Sequence, residues 1–193
     1  MLLPLRKTLG KTGAEISRLG LGGHTFLPNY GGMVQAEYNE LMDIVNTAIG
    51  EGINLFDVTY DEERKLLGSL LNELNIRDKI FLSCWMSKQK TQTTVELKAE
   101  AKRALSLLGA EYVDLFYLDW TCTKEQVEAM VELREEGLTK FIGLLGLSVA
   151  LENELSDLDV VLINHNYHLR GNEIGIRKLR SYNPDIGIIS LGH

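Results

Sequence analysis

The sequence predicts an α/β protein whose parallel strands curl toward a barrel. Two observations predict it. Short apolar runs alternate with amphipathic helical stretches along the chain, and the stretch from Gly52 to Gly68, GINLFDVTYDEERKLLG, passes from an apolar strand through an acid directly into a helix. Alternation of this kind gives a parallel sheet, and right-handed crossovers of uniform length curl that sheet on itself. The full expectation is a (β/α)8 TIM-barrel type, incomplete at seven strands and opened by an N-terminal β-hairpin, with residues 1–193 forming one domain.

Each element follows from local pattern. Leu3 to Ile16 reads as a hairpin turning at Gly10 to Gly13, and Arg18 to Gly23 as a Gly-rich first barrel strand. A helix from about Gln35 to Gly50 leads to the strand that ends at Asp57, where Ile53, Leu55 and Phe56 form the apolar run of a buried parallel strand. The stretch RKLLGSLLNEL, Arg64 to Leu74, is a helix before a strand at Lys79 to Trp85. The next helix spans Thr94 to Leu108, with Gly109 as its stop. A strand at Val113 to Asp119 follows, then a helix at Lys124 to Glu136 closed by Gly137, and a strand at Lys140 to Leu144. The last elements are a short helix near Leu151 to Leu155, a strand at Val160 to Asn164, a helix around Glu173 to Arg180 and a strand at Ile186 to Ser190.

Asp57 admits two readings. At the last residue of a parallel strand it stands where α/β folds place their ligand sites. As an acid just before a helical run it can equally cap that helix.

Composition narrows the function classes. With 45% hydrophobic and 24% charged residues over 193 positions, the chain can bury a core and carries no signature of disorder. A net charge of -7 with scattered basic residues argues against a nucleic-acid surface, which needs clustered Lys and Arg. Cys84 and Cys122 lack CxxC spacing, which suits a reduced, cytoplasmic protein. The N-terminal MLLPLRKTLGKTG has no long apolar segment, and no run of about eighteen apolar residues occurs, so neither a signal peptide nor a membrane span is expected.

At this point the motifs resemble a family. LGKTGAEISRLGLGG, from Leu9 to Gly23, is similar to the opening hairpin and first strand of the aldo/keto reductases; GINLFD resembles their second strand, LLGAEYVDLFYL the fourth, ELREEGLTKFIG the following helix and strand, and DVVLINHNY the sixth. The resemblance covers the whole chain. It implies a (β/α)8 barrel and NAD(P)H-dependent reduction of a small-molecule carbonyl substrate, with NADP or NAD as cofactor. Catalysis in the family pairs a Tyr proton donor with a Lys that lowers its pKa, an Asp that pairs with the Lys, and a His that orients the carbonyl.

Carried over residue by residue, the resemblance is incomplete. Asp57 falls on the family's Asp, and Tyr60 stands for the Tyr but arrives two residues early, in DVTY. Where the family reads TK at the end of the third strand, this chain has Cys84 and Trp85; where it has His at the end of the fourth, this chain has Asp119 before Trp120. Without a Lys, a Tyr keeps a pKa near 10 and is a poor acid at neutral pH. The carboxylates Asp57 and Asp119 are expected at one mouth, disfavouring each other's ionisation and repelling a developing alkoxide. The usual reduction is therefore expected to be abolished or very slow.

The resemblance further assigns Gly22, Gly146 and Asn166 to the cofactor, and His24, Trp85 and Trp120 to the substrate pocket. In the run Gly143, Leu144, Leu145, Gly146, Leu147, a Leu stands where the family places a polar Ser, with Ser148 as an alternative in a shifted register. His24, His165, His168 and His193 with the two carboxylates could in principle ligate a metal, but no HExxH or comparable spacing supports that. Barrels of this type need about 250 residues, so either the sequence is a fragment of a longer chain, or the first and seventh strands present edges that invite a completing chain or a homo-oligomer. The expected function is an aldo/keto-reductase-like oxidoreductase. The alternatives are a catalytically inactive barrel kept as a binding scaffold, a pseudoenzyme, and a site repurposed around Asp57 and Asp119.

Overall fold

The computed structural model of the protein describes residues 6–27, 36–86, 92–147 and 157–191. Its first feature is the hairpin, β1 (Arg6–Thr8) paired antiparallel with β2 (Glu15–Ser17) across a 3-10 turn at Gly10–Thr12. Gly10 has φ +52° and lies so close to the Gly187 backbone nitrogen that a Cβ has no room, while the Lys11 N–H donates to the Asp185 carbonyl at 2.5 Å. A left-handed backbone and a backbone collision both oppose a side chain there. Gly10→Ala is expected to cost about 2 kcal/mol, read as a lower urea midpoint with an unchanged slope; an unaltered midpoint would show that this latch contributes nothing.

The sheet has seven strands in chain order, all parallel: β3 (Gly20–Gly22), β4 (Leu55–Val58), β5 (Phe81–Trp85), β6 (Val113–Leu118), β7 (Thr139–Leu145), β8 (Val160–Asn164) and β9 (Gly187–Leu191). Sequential parallel neighbours require crossovers, and the helices supply them: α1 (Tyr38–Gly50), α2 (Asp61–Leu74), α3 (Thr94–Leu108), α4 (Lys124–Glu135) and α5 (Glu173–Tyr182). The helix expected near Leu151 to Leu155 lies outside the described residues. Among those described, β3 and β9 are the two edges of the sheet.

Two helix starts moved for capping reasons. α1 begins at Tyr38, because Glu40 reaches back to accept from the Glu37 N–H at 2.9 Å. α2 begins at Asp61, three residues ahead of the expected start, since Asp61, Glu62 and Glu63 suit the positive end of the helix dipole. Asp57 therefore does not cap α2; Tyr60 precedes its first turn. Thr93 accepts from the Glu96 N–H, and Gly109 closes α3 at φ +60°, both as the pattern requires.

Side chains alternate along every strand. Phe56, Val58, Leu82, Cys84, Phe116, Leu144, Val161 and Ile163 pack outward with the helices in the larger apolar cluster. Leu55, Phe81, Leu115, Tyr117, Leu162 and Ile189 point the other way into a smaller interior cluster, which the hairpin's Leu9 and Ile16 plug from below. That interior face carries the site.

Candidate active site

Asp57 belongs to the inward parity of β4. Register places it beside Gly22 of β3 and Ser83 of β5, at the C-terminal ends of the strands. Gly22 and Ser83 are small, so space above the sheet stays open, and the Tyr117 phenol of β6 reaches across β5. Its hydroxyl donates to the Asp57 carboxyl at 3.1 and 3.2 Å from the two oxygens.

The electrostatics follow from burial. Asp57 is enclosed by protein and keeps one face toward the cavity. Desolvation pushes its pKa up to about 7, helped by the negative charge of Glu63 and opposed by the Ser83 and Tyr117 hydroxyls and by His24. Ser83 Oγ acts through its dipole, since it has no partner in hydrogen-bond geometry. Desolvation first, then the charge of Asp57, holds the Tyr117 phenol well above its ordinary value. Among the described residues no cation forms an ion pair with Asp57. The buried Arg64 guanidinium lies nearby on the helix side, where it donates to the Trp85 carbonyl at 2.6 Å and pairs with Asp61 at 3.1 Å. It fixes the end of β5 and leaves Asp57 uncompensated.

A second group guards the mouth. Glu63 is fully buried and accepts from the Thr59 N–H at 2.5 Å and the Tyr60 N–H at 3.3 Å, and His24 Nδ1 lies 2.8 Å from its other oxygen. The His24 ring stacks on Tyr60 with centroids 5.7 Å apart. Tyr60 itself is 40% exposed and lines an outer pocket of about 460 Å³ with Arg64, Glu100 and Arg103.

The inner cavity, about 880 Å³, runs from the hairpin to the strand ends and is lined at the top by Asp57, Ser83, Trp85, Tyr117 and Trp120. Gly22 and His24 also line it. Ser83 Oγ and Trp85 Nε1 are buried without partners. The unpartnered Trp85 N–H, with Ser83 and the Trp120 ring in the same lining, fits a planar ring bearing a carboxamide or a carbonyl acceptor. The residues present thus fit the nicotinamide end of a dinucleotide.

Other sequence-derived candidates stand elsewhere. Asp119 falls past the end of β6 and accepts from the Thr121 N–H and hydroxyl at 2.7 and 2.5 Å, so it closes its own turn; the carboxylate that faces Asp57 is Glu63, not Asp119. Gly146, at φ +109°, donates to the Leu162 carbonyl and lies against the Trp120 side chain. Asn166 turns its side chain onto the His168 and Leu169 N–H groups at 2.8 and 2.9 Å. Leu145 faces the cavity. Ser148 and His193 lie outside the described residues, and among those described no group of three or more His, Cys, Asp or Glu is placed to hold a metal. Tyr117, Ser83 and Glu63 are not among the sequence-derived candidates; period-two alternation from Asp57 across neighbouring strands is the signal that finds Tyr117 and Ser83.

Fold and cavity define the class: a curled, open parallel α/β half-barrel with a polar site at the C-terminal strand ends. Within that class the chain belongs to the aldo/keto reductase family, whose model matches residues 18–192. It is 25% identical over 159 residues to aldo-keto reductase YhdN of Bacillus subtilis (strain 168), covering 74% of this chain and 47% of that protein. It is 26% identical over 210 residues to L-galactose dehydrogenase of Arabidopsis thaliana, covering 95% of this chain and 63% of that one. The chain thus spans about half to two thirds of the length of these curated relatives. The holo form of aldo-keto reductase AKR11C1 from Bacillus halodurans shares the fold, with a TM-score of 0.79 at 17% identity over 96% of this chain and 65% of that chain.

Proposed function

We propose that the protein is a nicotinamide-dependent oxidoreductase that reduces a small-molecule carbonyl in the inner cavity. One observation carries this reading: a buried carboxyl and phenol share a hydrogen bond beneath two unsatisfied donors at the strand ends. Bound NADPH or NADH would supply the hydride for the carbonyl carbon. Trp85 and Trp120 hold flat rings against the cavity wall, Ser83 Oγ and Trp85 Nε1 donate to acceptor oxygens, and the apolar lining of Leu145 and Leu162 excludes water. The free thiols of Cys84 and Cys122 accord with a reducing compartment such as the cytoplasm.

The test is NADPH and NADH binding by calorimetry, with tryptophan fluorescence as a second readout and a panel of aldehydes and ketones to follow. Saturable binding with quenching and NAD(P)H consumption is expected. Absence of binding by folded protein would end the reductase reading.

A scaffold without catalysis is the second reading, favoured by the lack of an ion-paired cation at Asp57 among the described residues and by Leu145 in the cavity wall. Turnover that disappears in Asp57→Asn sinks it. In either case we propose that β3 and β9 pair with a further strand or a second copy, which sedimentation would register as a species heavier than the 21.7 kDa chain.

A further inference from the structure

Two candidate proton donors stand near the cavity, and geometry separates them. Tyr60 opens onto the outer pocket, whereas Asp57 lines the inner one beneath Trp85 and Trp120. We propose that Asp57 is the proton donor of the inner cavity, delivering its proton to the carbonyl oxygen of the ligand, with Tyr117 as its positioning residue. The inference rests on the reductase reading for the identity of that ligand.

The groups that face Asp57 are Tyr117 from β6, Ser83 from β5, Glu63 from α2 and His24 from the turn after β3, with the Cys84 thiol of β5 on the opposite face of the sheet. Tyr117 donates to the carboxyl, so when Asp57 is neutral its own O–H is left for the cavity. Burial and Glu63 keep a neutral fraction present at neutral pH. In the step, hydride from the reduced nicotinamide adds to the carbonyl carbon and the C=O π pair moves to oxygen. The Asp57 O–H bond breaks, the alcohol O–H bond forms, and the carboxylate regains a proton from solvent once the alcohol has left the cavity.

The experiment is carboxyl-carbon NMR of the full chain with labelled aspartate, from pH 4 to 9, for wild type, Asp57→Asn and Tyr117→Phe. One resonance, absent from Asp57→Asn, is expected to titrate near pH 7 and to move to higher pH in Tyr117→Phe, because the phenol favours the ionised form. In parallel, NADPH-dependent reduction of benzaldehyde is expected to fall about tenfold per pH unit above that midpoint and at least hundredfold in Asp57→Asn. An Asp57 resonance titrating below pH 5, or reduction that survives Asp57→Asn but not Tyr60→Phe, overturns the assignment. A midpoint near 7 in a protein that binds no NADPH retires the reductase reading and supports Asp57 as the cavity's donor.

Discussion

Asp57→Asn is expected to flatten the pH dependence of stability between about pH 4 and pH 8. The folded-state pKa of Asp57 is raised, from an ordinary 3.8 to about 7, so between those values the native protein binds more protons than the unfolded chain. Stability therefore falls as pH rises through this window: the group costs nothing below the unfolded value and its full penalty applies above the folded one. Asn keeps the shape and does not ionise. Comparing urea unfolding at pH 4.5 and pH 8, the stability difference between variant and wild type should shift toward the variant by on the order of 3 kcal/mol, allowing for the face that Asp57 keeps toward the cavity. Parallel pH profiles for the two proteins would show that water in the cavity solvates the carboxylate as well as bulk solvent does.

The second large effect lies at the opposite end of the strands. Asp114 is 7% exposed at its side chain and accepts from the Leu82 N–H at 2.9 Å, Arg77 Nη2 at 3.0 Å and Lys140 Nζ at 2.9 Å. It joins β5, the turn before β5, β6 and β7 in one network, and the Tyr112 ring covers both cations within 4.5 Å. Asp114→Ala leaves the Leu82 N–H without its acceptor and Arg77 half-buried without its carboxylate. Removing one partner of such a buried network is expected to cost about 3–5 kcal/mol, read as a lower urea midpoint. Asp114→Asn keeps an acceptor for Leu82 and should lose about half as much. If Ala and Asn variants unfold together, the ion pairs outweigh the backbone contact.

What the sequence made legible was whatever a local period or a cap encodes. The strand at Val160–Asn164 and the helix at Thr94–Leu108 match their expected limits, because an apolar run and a Thr cap with a Gly stop leave little choice. Asp57 was legible as a strand-end acid. Its partner was not, since the hydrogen bond from Tyr117 spans 60 residues of sequence and depends on Ser83 being small enough to let the phenol cross. Asp119 shows the converse: its family position suggested a site, but β6 ends one residue earlier and the side chain found Thr121 closer.

The two faces of the sheet divide the labour between persistence and chemistry. The helix-covered side holds most of the buried apolar residues, while the interior cluster is small and shares its space with Asp57, Ser83, Trp85 and Tyr117. The strand-end positions Asp57, Ser83, Trp85 and Tyr117 can therefore drift in identity while the helix-covered face keeps the protein folded. A lineage can in this way change the side chains at the strand ends without passing through an unstable ancestor, and the changed chamber stays available to selection for a different ligand.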